Sequence, residues 1–354
     1  MIRRNWTWLV GALLLASCVS KPMEQKGSGG PAAESIQTTS VAKPPQPSTT
    51  AAAAGESLPP LRARLAAHID SLANAGGTNS RVVFTRGNQW SVGYIFRQLH
   101  ALRVAVRLDT FGTPRRNGKD GRLANVVAVV PGATDSVVIL CAHLDASASR
   151  DPGWKARWET APAPGATDNA SGIAALIEVV RKVAAAQPRY TLIAVASNAE
   201  EKNPEYAGHH HGSRAVANWL RREGKKVRGV VVMDMVGWSP NHAQTMLFAD
   251  ARSRPLAALL RKLNDSLKTG LAIAATIAPC RHSDNESFAN AGFPAVLFME
   301  SCTPWRATGL RPRNPTYHTR RDLPPTVNLS VTEGVVELVA QFVGGREAAP
   351  MKSG

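Results

Sequence analysis

The strongest constraint on the fold is the alternation of short, uncharged apolar runs with longer amphipathic segments after residue 130. Runs such as "VVILCA", "TLIAVA" and "GVVVM" are rich in β-branched residues, which is typical of strands buried on both faces. Segments such as "SGIAALIEVVRKVAAA" repeat their apolar residues with the period of a helix. The alternation predicts a three-layer α/β fold, in which a mostly parallel central sheet carries helices on both faces.

The composition divides the chain into a folded segment and its flanks. Residues 18–60 consist mainly of Pro, Ala, Ser, Thr, Gly and Gln. They contain too few large apolar residues to offset the entropy lost on ordering, so a disordered tether is predicted there. The folded domain is predicted over residues 61–345, and a short disordered tail over residues 346–354.

The N-terminus has the layout of a bacterial export signal. Arg3 and Arg4 precede an apolar run that is too short for a good membrane span, so residues 1–17 are predicted to be a signal peptide. The following "LASC" resembles a lipobox, in which Cys18 is lipidated. By analogy with bacterial sorting rules, Val19 favours the outer membrane. We therefore expect an exported lipoprotein anchored by Cys18 at the periplasmic side of the outer membrane or at the cell surface; an ordinary secretory signal is the alternative.

The charge of the chain does not indicate a nucleic-acid partner. The formal net charge is +16, but Lys and Arg are scattered and form no basic stripe with interleaved aromatic residues. A basic excess is also common in proteins exported to an anionic cell surface.

The cysteines fit an oxidising compartment. Cys280 and Cys302 flank a predicted helix–strand unit, and we expect them to form a disulfide. Cys141 lies in an apolar strand and is predicted to be a buried free thiol.

Acids and imidazoles cluster where the predicted strands end. Ligands of open α/β sheets bind outside the carboxyl ends of the strands, so these side chains are the candidate site. They are His143, Asp145, Asp168, Glu200, Glu201, Asp234 and His318.

This set of side chains suits zinc or a similar divalent ion, because it offers imidazoles and carboxylates without a thiolate. Asp168, Glu201 and Asp234 supply three negative charges, and a hydroxide would supply a fourth, which two Zn²⁺ ions balance. Glu200 then remains available for proton transfer beside Glu201, which would bind the metal. His143 and Asp145 share a face of an extended chain, so Asp145 could orient His143; a hydrogen-bonded core pair is the alternative.

The motifs "AHLD", "GATDNASG", "EE", "VMDMVG" and "YHTRRD" occur in the order and rough spacing of a known family. They resemble the co-catalytic di-zinc aminopeptidases of metallopeptidase family twenty-eight, which include bacterial leucyl aminopeptidases. The resemblance covers residues 61–345 and implies the fold of zinc aminopeptidases and phosphorylase/hydrolase-like proteins. It also implies two zinc ions per chain. His143 and Asp234 would bind one ion, Glu201 and His318 the other, and Asp168 would bridge them.

The resemblance also implies an activity and a mechanism. The chain would be a metal-dependent exopeptidase, and specifically an aminopeptidase acting on peptides. Glu200 would be the general base, which takes a proton from water and passes it to the leaving amine. Asp145 would orient His143, and an unusual cis peptide bond would join Asp168 to Asn169.

Two segments depart from the family pattern or add to it. Asn285 stands where the family has His, and the turn after Glu201 is lengthened by "NPEYAGHHH". His209, His210 and His211 could form a third metal site, but we interpret this segment as a solvated loop. Trp154 and Trp158 could line a substrate pocket or pack at the surface.

Other functions stay open at this point. Glutaminyl cyclases use a related fold with one zinc and counterparts of Asp168, Glu201 and His318; His143 and Asp234 complete a second site and favour a hydrolase. A carboxypeptidase or dipeptidase on the same scaffold would recognise a carboxylate. The arginines that could do so are Arg281, Arg306, Arg311 and Arg313. A non-catalytic surface lipoprotein is a remote alternative. The oligomeric state is not indicated by the sequence.

Overall fold

The computed structural model describes residues 58–118, 120–239, 243–276, 280–302 and 314–345. The predicted signal peptide, the lipidated Cys18 and nearly all of the tether lie outside these residues, as does the tail, so all of them stay predictions. Among the residues described, no helix is both long enough and apolar enough to cross a membrane.

The described residues form helices and strands that alternate for most of the chain. The helices are α1 (Leu61–Asn74), α2 (Arg86–His100), α3 (Trp154–Arg157), α4 (Ser171–Ala184), α5 (His211–Arg222), α6 (Arg254–Leu267), α7 (Asn285–Asn290) and α8 (Leu329–Gly344). The strands are β1 (Ala105–Pro114), β2 (Asp120–Val130), β3 (Thr134–His143), β4 (Tyr190–Ser197), β5 (Val227–Met233), β6 (Gln244–Ala249), β7 (Ala272–Thr276) and β8 (Ala295–Met299).

The strands form one sheet in the order β1-β2-β4-β3-β5-β8-β6-β7. The four central strands, β4, β3, β5 and β8, run parallel to one another. Antiparallel pairs flank them, since β2 runs against β4 and β6 runs against β8. Parallel neighbours need a crossover connection, and α4 and α5 lie in the crossovers that lead into β4 and β5. The predicted mostly parallel three-layer fold is confirmed.

Helices cover the sheet on both faces because the central strands are apolar on both faces. Along β3, Val138 and Leu140 belong to a core formed with helices α1, α4, α6 and α8. Ile139 and Cys141 belong to a second core on the other face, which includes residues of α5 and α7. Successive side chains of a strand point to opposite faces, so the uncharged run "VVILCA" serves both layers.

Both cysteine predictions are confirmed. Cys280 and Cys302 form a disulfide with a Cα–Cα distance of 5.6 Å. Cys141 is a buried free thiol, and burial raises its pKa well above the ordinary value.

A buried carboxylate, Glu178 on α4, joins α4 to α1. It accepts hydrogen bonds from Arg64 Nε and Nη2 at 2.9 and 2.6 Å and from Arg181 Nε at 3.2 Å. His68 Nε2 lies 3.3 Å away. Burial alone would raise the pKa of Glu178, but His68, Arg64 and Arg181 lower it to about 2.

This lowered pKa predicts how Glu178 affects stability. A carboxyl pKa of about 2 in place of 4.5 corresponds to about 3 kcal/mol of folding free energy at pH 7. The contribution is complete above pH 4.5 and is lost as the pH falls towards 2. We expect Glu178→Gln to lower the free energy of unfolding by about that amount at pH 7, and the gap to wild type to narrow below pH 4.5. Urea unfolding between pH 7 and pH 3 measures this.

The matched control for this test is Glu337→Gln. Glu337 pairs with Lys182 at 2.7 Å, but its side chain is 41% exposed. An exposed pair of this kind contributes at most about 1 kcal/mol, so this variant should stay close to wild type at every pH. A pH-independent gap for Glu178→Gln would contradict the assigned pKa.

Candidate metal centre

The candidate ligands meet at the carboxyl edge of the parallel strands. His143 is the last residue of β3, and Asp234 follows the last residue of β5. Glu200 and Glu201 follow β4 by three and four residues. Asp168 precedes α4, and His318 lies in the segment between β8 and α8. All of these side chains are buried or nearly so.

The five predicted metal ligands form two clusters that share Asp168. In the first, Nε2 of His143 lies 3.2 Å from Oδ1 of Asp168 and 3.3 Å from Oδ1 of Asp234. In the second, Nε2 of His318 lies 3.1 Å from Oδ2 of Asp168 and 2.8 Å from Oε1 of Glu201. Each carboxylate oxygen of Asp168 therefore faces a different imidazole.

These distances fit zinc. Two ligand atoms at about 2.0 Å from a tetrahedral zinc ion are about 3.3 Å from each other. The distances from the imidazole nitrogens to the carboxylate oxygens in the two clusters, 2.8 to 3.3 Å, are close to this value. The electrostatics agree with the distances. Burial alone would lower the pKa of His318, but Glu201 and Asp168 raise it to about 10. Likewise Asp234 and Glu200 oppose the effect of burial and raise the pKa of His143 well above 6.5. The buried carboxylates around these imidazoles need a compensating positive charge. A metal ion would supply that charge in place of the imidazole proton.

Comparison with known proteins identifies the family. The sequence model of peptidase family M28 matches residues 125–343, which is more than half of the chain and contains every one of the candidate ligands. The chain belongs to peptidase family M28. The resemblance drawn from the sequence motifs is therefore confirmed.

Relatives of this M28 chain include a probable leucine aminopeptidase of Arthroderma otae, 29% identical over 233 residues. The alignment covers 64% of this chain but only 58% of that relative. A glutaminyl cyclase of Tannerella forsythia shares the fold, with a TM-score of 0.64 and 19% identity over 81% of this chain and 99% of the other. So does a Zn-dependent exopeptidase of Parabacteroides distasonis, with a TM-score of 0.63 and 18% identity over 80% and 98%.

Asp145 contacts a different group from the one expected. Its Oδ1 lies 3.8 Å from Nδ1 of His143, which is beyond hydrogen-bond length, and Nδ1 instead lies 3.2 Å from the backbone carbonyl of Asp145. The carboxylate accepts the backbone N–H groups of Glu200 and Glu201 at 3.2 and 3.0 Å. Asp145 thus fixes the backbone of the glutamate pair, and its carbonyl orients the imidazole.

Two residues outside the predicted site, Asp322 and Asn169, hold Asp168 in place. Asp322 accepts the backbone N–H groups of Thr167 and Asp168 at 2.9 and 3.0 Å. Asn169, joined to Asp168 by the expected cis peptide bond, donates to Met233 O at 2.9 Å and accepts from Met235 N at 3.1 Å. Asn169 therefore connects Asp168 to the backbone on both sides of Asp234. The "D" of "YHTRRD" was the sequence signal for Asp322.

Arg81 is a third supporting residue outside the predicted site. Its guanidinium is fully buried and donates to the carbonyls of Leu72, Leu144, Pro164 and Gly165. Burial lowers its pKa to about 10, and Asp322, Asp168, Asp145 and Glu201 oppose that effect. Arg81 thus joins the segments that carry Asp145 and Asp168 and places a permanent positive charge near the carboxylates.

The interpretation of the histidine segment as a solvated loop is wrong for His210. His210 is only 5% exposed, and its Nε2 lies 3.0 Å from Oε1 of Glu200. His209, His210 and Glu286 offer ligand atoms within 4.8 Å of one another. Burial lowers the pKa of His209 to about 4, as do His210 and Lys202, whereas Glu286 opposes that effect.

The centre opens into a cavity of about 320 Å³. Met235, Met299 and Tyr317 line it beside the candidate ligands, together with His210 and Glu200. Trp154 and Trp158 do not line this cavity; they are buried in a separate cluster with Val82 and Ala163. Asn285, which replaces the family's usual His, donates to the carbonyl of Cys280 at 2.8 Å and is also absent from the lining.

Proposed function

We propose that this M28 chain is a zinc-dependent aminopeptidase with two ions per chain, and that it removes N-terminal residues from peptides. The observation that carries the proposal is the position of Asp168, whose two oxygens face His143 and His318 at 3.2 and 3.1 Å. The two clusters would each hold one ion. A zinc pair bound there would supply an acidified water and polarise the scissile carbonyl.

The chain's own residues can carry the proton. The carboxylate of Glu200 lies within 4.8 Å of ligand atoms of His143 and Glu201 without belonging to either of the clusters that share Asp168. Burial raises its pKa well above the ordinary value, as do Glu201, Asp234 and Asp284. A carboxylate with a raised pKa is suited to take a proton from water and deliver it to the leaving amine.

The lining of the cavity favours a substrate with an apolar side chain. Met235, Met299 and Tyr317 provide apolar surface next to the acids, and the relative from Arthroderma otae is named a leucine aminopeptidase. Among the described residues, the lining contains one arginine, Arg150, and one lysine, Lys202, as cations for a substrate carboxylate. Arg281 lines a separate small cavity, and Arg306, Arg311 and Arg313 lie outside the described residues.

The proposal is tested with the full chain and leucine p-nitroanilide. We expect hydrolysis that 1,10-phenanthroline abolishes and added zinc restores, with two zinc ions per chain by mass spectrometry. The N-acetylated substrate should be inert, because an aminopeptidase requires a free amine. Hydrolysis of the acetylated substrate at the same rate, or activity that survives the chelator, would contradict the proposal.

Glutaminyl cyclisation is the second candidate, because the cyclase of Tannerella forsythia shares this fold along nearly its whole length. The discriminating assay offers a peptide with N-terminal glutamine and measures ammonia release. Cyclisation with one zinc per chain, and no release of nitroaniline from the leucine substrate, would favour the cyclase.

A further inference from the structure

The loop between β4 and α5 closes back on its own beginning and places His210 beside Glu200. Three consecutive backbone N–H groups donate to three consecutive carbonyls in the opposite direction. The pairs are His210 to Glu200 at 3.1 Å, His211 to Ala199 at 2.9 Å and Gly212 to Asn198 at 3.0 Å. A Cβ at Gly212 would lie 2.4 Å from Asn198 O, so only glycine permits this approach. The backbone therefore fixes the position of His210 relative to Glu200.

The side chain of His210 is directed at the carboxylate by an uncommon backbone conformation. His210 has φ +57° and ψ 33°, in the left-handed region that disfavours residues with a Cβ. Its Nε2 lies 3.0 Å from Oε1 of Glu200, within the range of a hydrogen bond to a carboxylate. Strained residues of this kind persist where the surrounding structure holds them, often at functional sites.

Helix α7 supports His210 from the side opposite Glu200. Glu286 Oε2 lies 3.5 Å from Nδ1 of His210, and Ser287 Oγ donates to the His210 carbonyl at 3.5 Å. Ser287 also contacts Ser213 of α5, with 2.9 Å between the two hydroxyl oxygens. The imidazole therefore has a carboxylate beside each of its nitrogens, Glu200 at Nε2 and the partly exposed Glu286 at Nδ1.

We propose that His210 is a positioning residue for Glu200. Its Nε2 contacts Oε1 at 3.0 Å and holds the carboxylate in the orientation that accepts the proton of the attacking water. The proposal rests on the proposed function, because it assigns Glu200 the role of general base. It concerns the lengthened segment in which this chain departs from the pattern of its family.

The test compares His210→Leu with His210→Gln, using leucine p-nitroanilide as the substrate. Leu keeps a similar volume but cannot donate, whereas the amide of Gln can donate from nearly the same position. We expect Leu to lower kcat by about 10- to 100-fold with KM changed less than about 2-fold, because the lost contact acts on the chemical step. Gln should recover most of that loss, and the zinc content should equal that of wild type in both variants.

The matched control is His211→Ala in the same loop. His211 contacts the Ala207 carbonyl at 2.9 Å and the ring of Tyr206, rather than Glu200. This variant should keep the wild-type kcat. An equal loss in His211→Ala and His210→Leu would show that only the loop's integrity matters, and would overturn the proposal.

A double-mutant cycle separates positioning from general stability. If His210 acts through Glu200, His210→Leu should have almost no effect on the residual kcat in the Glu200→Gln background. The same fold-loss in both backgrounds would overturn the proposal. A wild type without peptidase activity would refute the proposed function as well, whereas an active wild type with a fully active His210→Leu variant would refute the role of His210 alone.

Discussion

Replacing Glu200 with Gln should lower kcat for leucine p-nitroanilide by about 10²- to 10⁴-fold while both zinc ions stay bound. Gln preserves the volume of the side chain but cannot accept the proton of the attacking water. The ions should remain because Glu200 belongs to neither of the two clusters that share Asp168. One cluster contains His143 and the other contains His318. Steady-state kinetics and metal analysis of the same preparation measure both quantities.

Glu205→Gln is the matched control for Glu200→Gln. Glu205 is in the same loop and the substitution removes the same charge, but Glu205 pairs with Arg115 at 2.6 Å and is not among the described residues that line the cavity. Its kcat should equal that of wild type. A Glu200→Gln enzyme with wild-type kcat would exclude Glu200 as the general base. A variant that had lost its zinc would show that Glu200 binds metal rather than transferring a proton.

The fold and the clustering of the candidate ligands could be predicted from the sequence because both follow from short-range patterns. Uncharged runs such as the one ending at His143 indicate buried parallel strands, and parallel strands present their carboxyl ends at one edge. A polar residue directly after such a run is therefore placed without knowledge of the rest of the chain. His143 and Asp234, at the ends of β3 and β5, are of this kind.

The supporting residues were not accessible because their contacts span long stretches of chain. Arg81 lies 63 residues from Leu144 and 84 from Gly165, and its partners are backbone carbonyls that carry no sequence signal. Asp145 shows how a local rule fails. Alternation predicts that it shares a face with His143, but β3 ends at His143, so Asp145 leaves the strand and binds the amides after β4.

His210 was misjudged for a related reason. Polar residues in a lengthened turn are usually solvated, and the sequence gives no sign that Gly212 allows the loop to pair with Asn198. The close approach at Gly212 turns an apparently exposed histidine inward, against the carboxylate of Glu200. The burial of His210 is thus a consequence of tertiary structure.

Asp168→Asn should have the second large effect, on metal binding and on turnover together. Among the described residues, only Asp168 has oxygens that face both His143 and His318, so an amide in its place can serve at most one of the two clusters. We expect the zinc content to fall from two ions to one or none, and kcat/KM to fall by about 10³-fold or more, because metal assistance is worth several kcal/mol. Metal analysis after dialysis, with assays at added zinc, measures both.

Asp70→Asn is the control for the loss of one negative charge, since Asp70 is exposed on α1. It should leave metal content and kcat/KM unchanged.

The zinc content of Asp234→Asn separates the two candidate functions. If the active wild type holds a single ion, bound by Glu201 and His318 with one oxygen of Asp168, then Asp234→Asn should leave that ion in place. If instead the two clusters act as a pair, Asp234→Asn should lose one ion and most of the hydrolysis, while Asp168→Asn affects both sites. Retention of two ions and full activity by Asp168→Asn would exclude the bridge on which the peptidase proposal depends.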